Sequence, residues 1–263
     1  MRACAFQFPV TGNVEQNFFR IERAVCRAAE EKAEMLVLPE CALTGYPPAD
    51  LFSAGSADPR EVKDALCRLS ALCERTGLTV IAGTVLPEKG CCSNAAVTLF
   101  PDGRRSFYRK RALWGWDADN FAPGTDDGII RVNDFCIGIR ICFEVRFPEY
   151  FRELYRAGTD LNVILFYDRS AKEDPSRYGL IRSHILTRAV ENVTETLTVN
   201  TCGSYQTAPT LFCDRSGRVI REAAPGKEEF VILNTEKRQD GFGEKGRRSF
   251  SDLLCGKYGR KEE

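Results

Sequence analysis

Apolar residues fall in two alternating patterns along this chain. Residues 2–8 (RACAFQF) read as a short apolar strand. Over 14–31 the apolar positions Phe18, Ile21, Ala24, Val25, Ala28 and Ala29 return at helical spacing, which predicts one buried stripe. MLVLPE (35–40) is a continuous apolar run ending on a proline, as a strand buried on both faces would be. A strand, a helix and a second buried strand make a βαβ-like opening. Helical spacing recurs over 58–75 (Val62, Leu66, Leu69, Leu72), followed by a strand over 78–86. The apolar runs at 95–110 flank Pro101-Asp102-Gly103, a hairpin signal. Further strands are predicted at 135–142, 161–166, 194–200 and 230–234, and helices at 147–157 and 176–192. Residues 210–220 read as a hairpin around Ser216-Gly217. The tail from 235 to 263 is polar, charged and glycine-containing, and is expected to form an extended or partly mobile arm. No linker or repeat divides the chain, so residues 1–263 are expected to form one α/β domain. Hairpins within an α/β pattern predict mixed sheets.

Composition narrows the chemistry. The 263 residues include 37 basic and 37 acidic side chains, twelve cysteines and one histidine. A balanced charge gives no long-range attraction to phosphates or anionic lipid, which argues against a nucleic-acid or membrane-surface partner. No apolar stretch approaches the ~18 residues of a membrane span, and no secretory signal is visible. Unpaired thiols in a cytoplasmic protein are therefore expected. Gly241-Phe242-Gly243-Glu244-Lys245-Gly246 fits the alternating-glycine dinucleotide pattern, but no buried strand precedes it and no clear helix is expected after it. With no Cys-x-x-Cys pair and a single histidine, His184, a zinc centre is not expected. His184 lies among Ile181, Ile185 and Val190 on a predicted helix and reads as a packed, satisfied side chain. Nucleophilic cysteine chemistry with a carboxylate base is the most economical enzymatic reading left.

Three polar residues share one property: each ends an apolar or alternating strand. Glu40 follows MLVLP, Lys110 follows SFYR, and Cys142 follows FCIGIRI. Strand ends of a packed sheet are rigid places to mount reactive groups. Brought together, the carboxylate could take the thiol proton, while the ammonium favoured the thiolate and held an oxyanion. Singly, each has a plainer role: Glu40 as a helix cap or surface residue, Lys110 as a solvated strand end, Cys142 as core.

Four separated segments resemble the nitrilase superfamily of carbon–nitrogen hydrolases. LVLPECALTGY (36–46) resembles its glutamate motif, YRKRALW (108–114) its lysine motif, and GIRICFEVRFPEYFREL (138–154) its nucleophile motif. TRAVENVTETLTVNTCG (187–203) is similar to the segment that follows. The resemblance implies a four-layer αββα sandwich, a homodimer or larger assembly through helix faces, and hydrolysis of a non-peptide C–N bond without metal or cofactor. It implies Glu40 as general base, Cys142 as nucleophile, and Lys110 with the Phe143 backbone N–H as oxyanion donors.

The likeness is incomplete in informative places. Relatives often carry a second glutamate before a Phe-x-Pro-Gly segment; here Asp117 falls closest to that position, with Asp119 as its rival. Glu144 stands where many relatives have aspartate. TGYPPADLF (44–52) resembles the glutaminase domain of glutamine-dependent NAD synthetases, whereas CFEVRFPE (142–149) is closer to small ω-amidases. A stand-alone amidase acting on a small polar amide is expected, with substrate contacts at Tyr46, Trp116 and Arg146. Arg146 could instead serve a structural ion pair. The alternatives are a glutaminase subunit feeding a separate synthetase, a carbamoyl-amine hydrolase, or a non-catalytic dimeric scaffold.

Overall fold

The computed structural model describes residues 1–256. In chain order the first half holds β1 (Arg2–Gln7), α1 (Val14–Glu30), β2 (Met35–Val37), α2 (Pro59–Thr76), β3 (Thr79–Glu88), β4 (Cys91–Leu99) and β5 (Arg105–Arg109). A short helix, α3 (Trp116–Asn120), leads to β6 (Ile129–Val132), β7 (Phe135–Ile141), α4 (Pro148–Ala157) and β8 (Leu161–Phe166). Then follow α5 (Pro175–Asn192), β9 (Glu195–Asn200), β10 (Leu211–Cys213), β11 (Val219–Glu222), β12 (Glu229–Asn234) and α6 (Phe242–Leu254).

The strands form two six-stranded sheets, ordered β12-β1-β2-β3-β4-β5 and β11-β10-β9-β8-β7-β6. Both are mixed. β1, β2 and β3 are parallel, as are β7, β8 and β9. Their flanking strands pair antiparallel.

Strand alternation sorts the core into layers. Along β1, Ala3 and Ala5 join the cluster between the sheets, while Cys4 and Phe6 join the cluster beneath α1 and α2. The inner cluster sets Met35, Val37 and Ile81 with Ile137, Ile139 and Leu165. A third cluster packs Ile164 and Phe166 of β8 against Phe151 of α4 and Ile185 of α5. Three apolar cores between four layers make the αββα sandwich. Helix ends follow local chemistry: Asn13, Asp58 and Asp174 cap α1, α2 and α5, the last two each followed by proline. Among the described residues, no helix is long and apolar enough to cross a membrane.

The structure corrects the expected tail. Residues 242–254 form a helix, not an extended arm, and it begins inside the glycine-rich dinucleotide-like motif. Glu244 turns back to accept the Gly241 N–H at 2.8 Å, and Arg238 donates to Glu244 at 2.7 and 2.9 Å. Arg248 pairs with Asp240, and the Tyr155 hydroxyl donates to Asp252 at 2.6 Å. These anchors reach outside the helix, so its own periodicity understates it. The last part of the expected arm, 257–263, lies outside the described residues. The strand expected over 35–40 stops at Val37, where the chain turns into the segment bearing Glu40.

Candidate active site

Glu40 is fully buried just beyond β2. The backbone of β3 runs against it closely: a Cβ on Gly83 would lie 2.3 Å from the Pro39 carbonyl and 2.5 Å from the Glu40 Cα. Glycine at 83 therefore permits the approach that seats the carboxylate. Glu40 Oε1 accepts from Asn94 Nδ2 at 2.7 Å and Lys110 Nζ at 2.9 Å; Oε2 accepts the Tyr167 backbone N–H at 2.8 Å. Burial pushes the Glu40 carboxyl above its ordinary range, although Lys110 and Asn94 pull the other way. A carboxylate held in this state is a stronger base than one in water.

Lys110 is pinned where β5 ends. Its N–H donates to the Asn94 carbonyl at 2.8 Å and its carbonyl accepts from Gly124 at 3.0 Å. Lys110 is buried, and its ammonium lies between two carboxylates, Glu40 at 2.9 Å and Asp117 Oδ2 at 2.8 Å. Burial disfavours its charge, but the nearby carboxylates Glu40 and Asp117 outweigh that and hold it protonated. Asp117, on α3, is buried; its rival Asp119 is exposed. The shorter aspartate does reach the lysine.

Cys142 follows β7 directly and opens a 3₁₀ turn over Cys142–Arg146. Its φ of 45° lies in the left-handed region, a strained conformation for a residue with a side chain, and the kind that collects at reactive sites. Burial and the nearby Glu40 raise the thiol well above its usual range, against Lys110; Asp168 and Asp117 add to the rise. The resting group is thus a thiol that needs a base, not a standing thiolate. Cys142 shares its field with the same Glu40, Lys110 and Asp117 that bond to one another.

Glu144 locks this turn in place. Its carboxylate accepts from the Tyr108 hydroxyl and the backbone N–H groups of Arg111, at 2.8 Å, and of Ile141, at 2.7 Å. The strand carrying the thiol and the segment carrying the lysine are thereby clamped to one buried group.

The expected substrate contacts lie in different settings. The Tyr46 hydroxyl is engaged, donating to Asp117 Oδ1 at 2.5 Å, with its ring stacked on Tyr167 at 4.9 Å. Trp116 is half-buried and packs edge-on to Phe121. Arg146 lays its guanidinium 5.6 Å from the Phe143 ring centre, and among the described residues it forms no ion pair. Phe143 follows Cys142 within the 3₁₀ turn, its ring edge-on to Phe147. His184 sits half-buried on α5, kept neutral by burial and by Arg188 and Arg146. All twelve cysteines are free.

Sequence reasoning missed Asn94, the Tyr167 N–H and Asp168. Asn94 is an isolated amide in an apolar strand, a visible signal. The Tyr167 contact is made by backbone and leaves no mark in the sequence. Asp168 is buried with Arg177 at 2.8 Å and Thr207 at 2.7 Å.

The chain is similar to known amidases in sequence and fold. An (R)-stereoselective amidase of a Pseudomonas species is 27% identical over 227 residues, covering 84% of this chain and 80% of that protein. The 2-oxoglutaramate amidase of Bacillus subtilis is 27% identical over 230 residues, covering 84% and 82%. The NitN amidase of Nesterenkonia sp. AN1 shares the fold with a TM-score of 0.81 at 21% identity, covering 97% of this chain and 99% of that one. Residues 2–236 match the model of the carbon–nitrogen hydrolases, and the chain belongs to that family.

Proposed function

We propose that this enzyme hydrolyses a small ω-amide with a carboxylate or other polar end and releases ammonia. The observation that carries the reading is the buried Glu40–Lys110–Asp117 chain in the field of Cys142. Glu40 takes the Cys142 proton and the thiolate attacks the carbonyl carbon. Lys110 and the Phe143 N–H hold the oxyanion as the tetrahedral species forms. Glu40 returns the proton to the leaving nitrogen, ammonia departs, and a thioester remains on Cys142. Water activated by Glu40 then hydrolyses the thioester, freeing the acid and the thiol. The names of the two amidase relatives support an amide substrate. The reading includes self-association through helix faces, supported by Phe250 and Leu254, 70% and 81% exposed on α6; sedimentation of the purified protein tests it.

The test is ammonia release across a panel of ω-amides, carbamoyl amines, nitriles and glutamine. Cys142→Ala should lower the rate on any hit by several orders of magnitude, with a thioester trapped on the wild-type protein by intact mass. A panel with no Cys142-dependent ammonia would sink the reading.

A further inference from the structure

The contacts around Lys110, four hydrogen bonds and one ring stack, close into a loop. Glu40 accepts from Lys110, Lys110 donates to Asp117 Oδ2, and Asp117 Oδ1 accepts from the Tyr46 hydroxyl. The Tyr46 ring stacks on Tyr167, with planes 15° apart, and the Tyr167 N–H returns to Glu40. Tyr46 is fixed on its backbone too. Its N–H donates to Asp50 Oδ2 at 3.0 Å, and the Asp50 N–H donates back to the Tyr46 carbonyl at 2.8 Å. Tyr46 is therefore a rigid post, and its one hydroxyl proton is given to Asp117.

Asp117 stands on a five-residue helix with a single methylene between backbone and carboxylate. Two donors, one on each oxygen, fix both its position and its rotation. If it swung away, Lys110 would settle on Glu40 alone and make that carboxylate a poorer proton acceptor. Burial and the neighbouring Glu40 keep the Tyr46 phenol protonated, so it remains a donor.

We propose that Tyr46 is a positioning residue whose hydroxyl holds Asp117 on Lys110, allowing an aspartate to draw the ammonium away from the base Glu40. The proposal rests on the thiol–carboxylate reading above and gives Tyr46 a role in place of direct substrate contact.

A double-mutant cycle of Tyr46→Phe and Asp117→Glu tests it, using the best amide of the panel and, separately, iodoacetamide. Alkylation is followed on the Cys142 peptide as a function of pH. Phenylalanine keeps the ring stack, and the longer glutamate reaches Lys110 without the post. Tyr46→Phe should lower kcat ~10-fold with KM within about twofold, and shift the acid limb of Cys142 alkylation to lower pH. In the Asp117→Glu background the same change should lower kcat less than about threefold. Equal losses in both backgrounds, a loss confined to KM, or an unfolded Tyr46→Phe protein would each overturn the proposal. Turnover that survives Cys142→Ala would instead sink the thiol reading on which it rests, a separate result.

Discussion

Asn94 and Lys110 share one oxygen of Glu40: the amide donates to Oε1 at 2.7 Å and the ammonium at 2.9 Å. Both favour the charged form of a carboxyl that burial raises above its ordinary range. Because that group is raised, the basic form grows in as pH rises through its folded value and is lost below it. Asn94→Leu removes one donor to the anion, so the acid limb of the rate profile should move up by about one pH unit. An unmoved limb would show that Glu40 is not the titrating base.

Glu144 is satisfied by one hydroxyl and several backbone N–H groups, all donors. Glu144→Gln would turn an amide NH₂ toward at least one of them. Unfolding should become easier by ~2–3 kcal/mol, seen as a lower denaturant midpoint. Turnover should fall as well, because the thiol and lysine segments lose their common clamp. Unchanged stability would mean the carboxylate is dispensable.

Gly83→Ala would press a methyl group into the Pro39 carbonyl and the Glu40 backbone. Overpacking of this kind costs about 1–3 kcal/mol, a loss a folded protein can survive. Activity should suffer more, by ~100-fold, because the displaced atoms carry Glu40, the proposed base. A variant with normal turnover would refute the close approach.

Acid should loosen α6 before the sheets. The Arg248 hydrogen bond holds Asp240 below its ordinary 3.8, and the Arg238 hydrogen bond holds Glu244 below 4.5. Depressed carboxyls contribute stability above those ordinary values, and that contribution is lost as pH falls through the lowered ones. Each partly exposed pair is worth only ~0.2–1 kcal/mol, so the effect is local. Hydrogen exchange at about pH 3.5, corrected for intrinsic rates, should rise in 242–254 ahead of β7, β8 and β9. Simultaneous opening would contradict it.

The readable parts of this chain are those whose signal is local. β8 is legible because Val163–Phe166 is an unbroken apolar run, and Glu40, Lys110 and Cys142 because each follows an apolar or alternating strand. That these three converge depends on strand order, which local periodicity does not encode; the likeness of four motifs supplied it. α3 is too short for a period to show, and β6 is four residues long. α6 leaves little local mark because the nearby Arg238, a distant tyrosine and its own back-turned Glu244 hold it, not an apolar stripe. The partnership of Tyr46 with Asp117 spans 71 positions and has no local mark at all.

Glu40 and Lys110 hang from one sheet, and Cys142 from the other. The three groups of the proposed chemistry therefore meet across the inner apolar layer, where Val37 and Ile81 share a cluster with Ile139 and Ile141. The hydrophobic driving force has no direction of its own, and polar ties such as the Glu144 clamp help to fix the alignment. A shift of about 1 Å between the sheets would break no strand pairing, yet could cost ~100-fold in rate. Turnover in this fold is a vernier for sheet alignment: on heating, catalysis should fade while both sheets still keep their ladders.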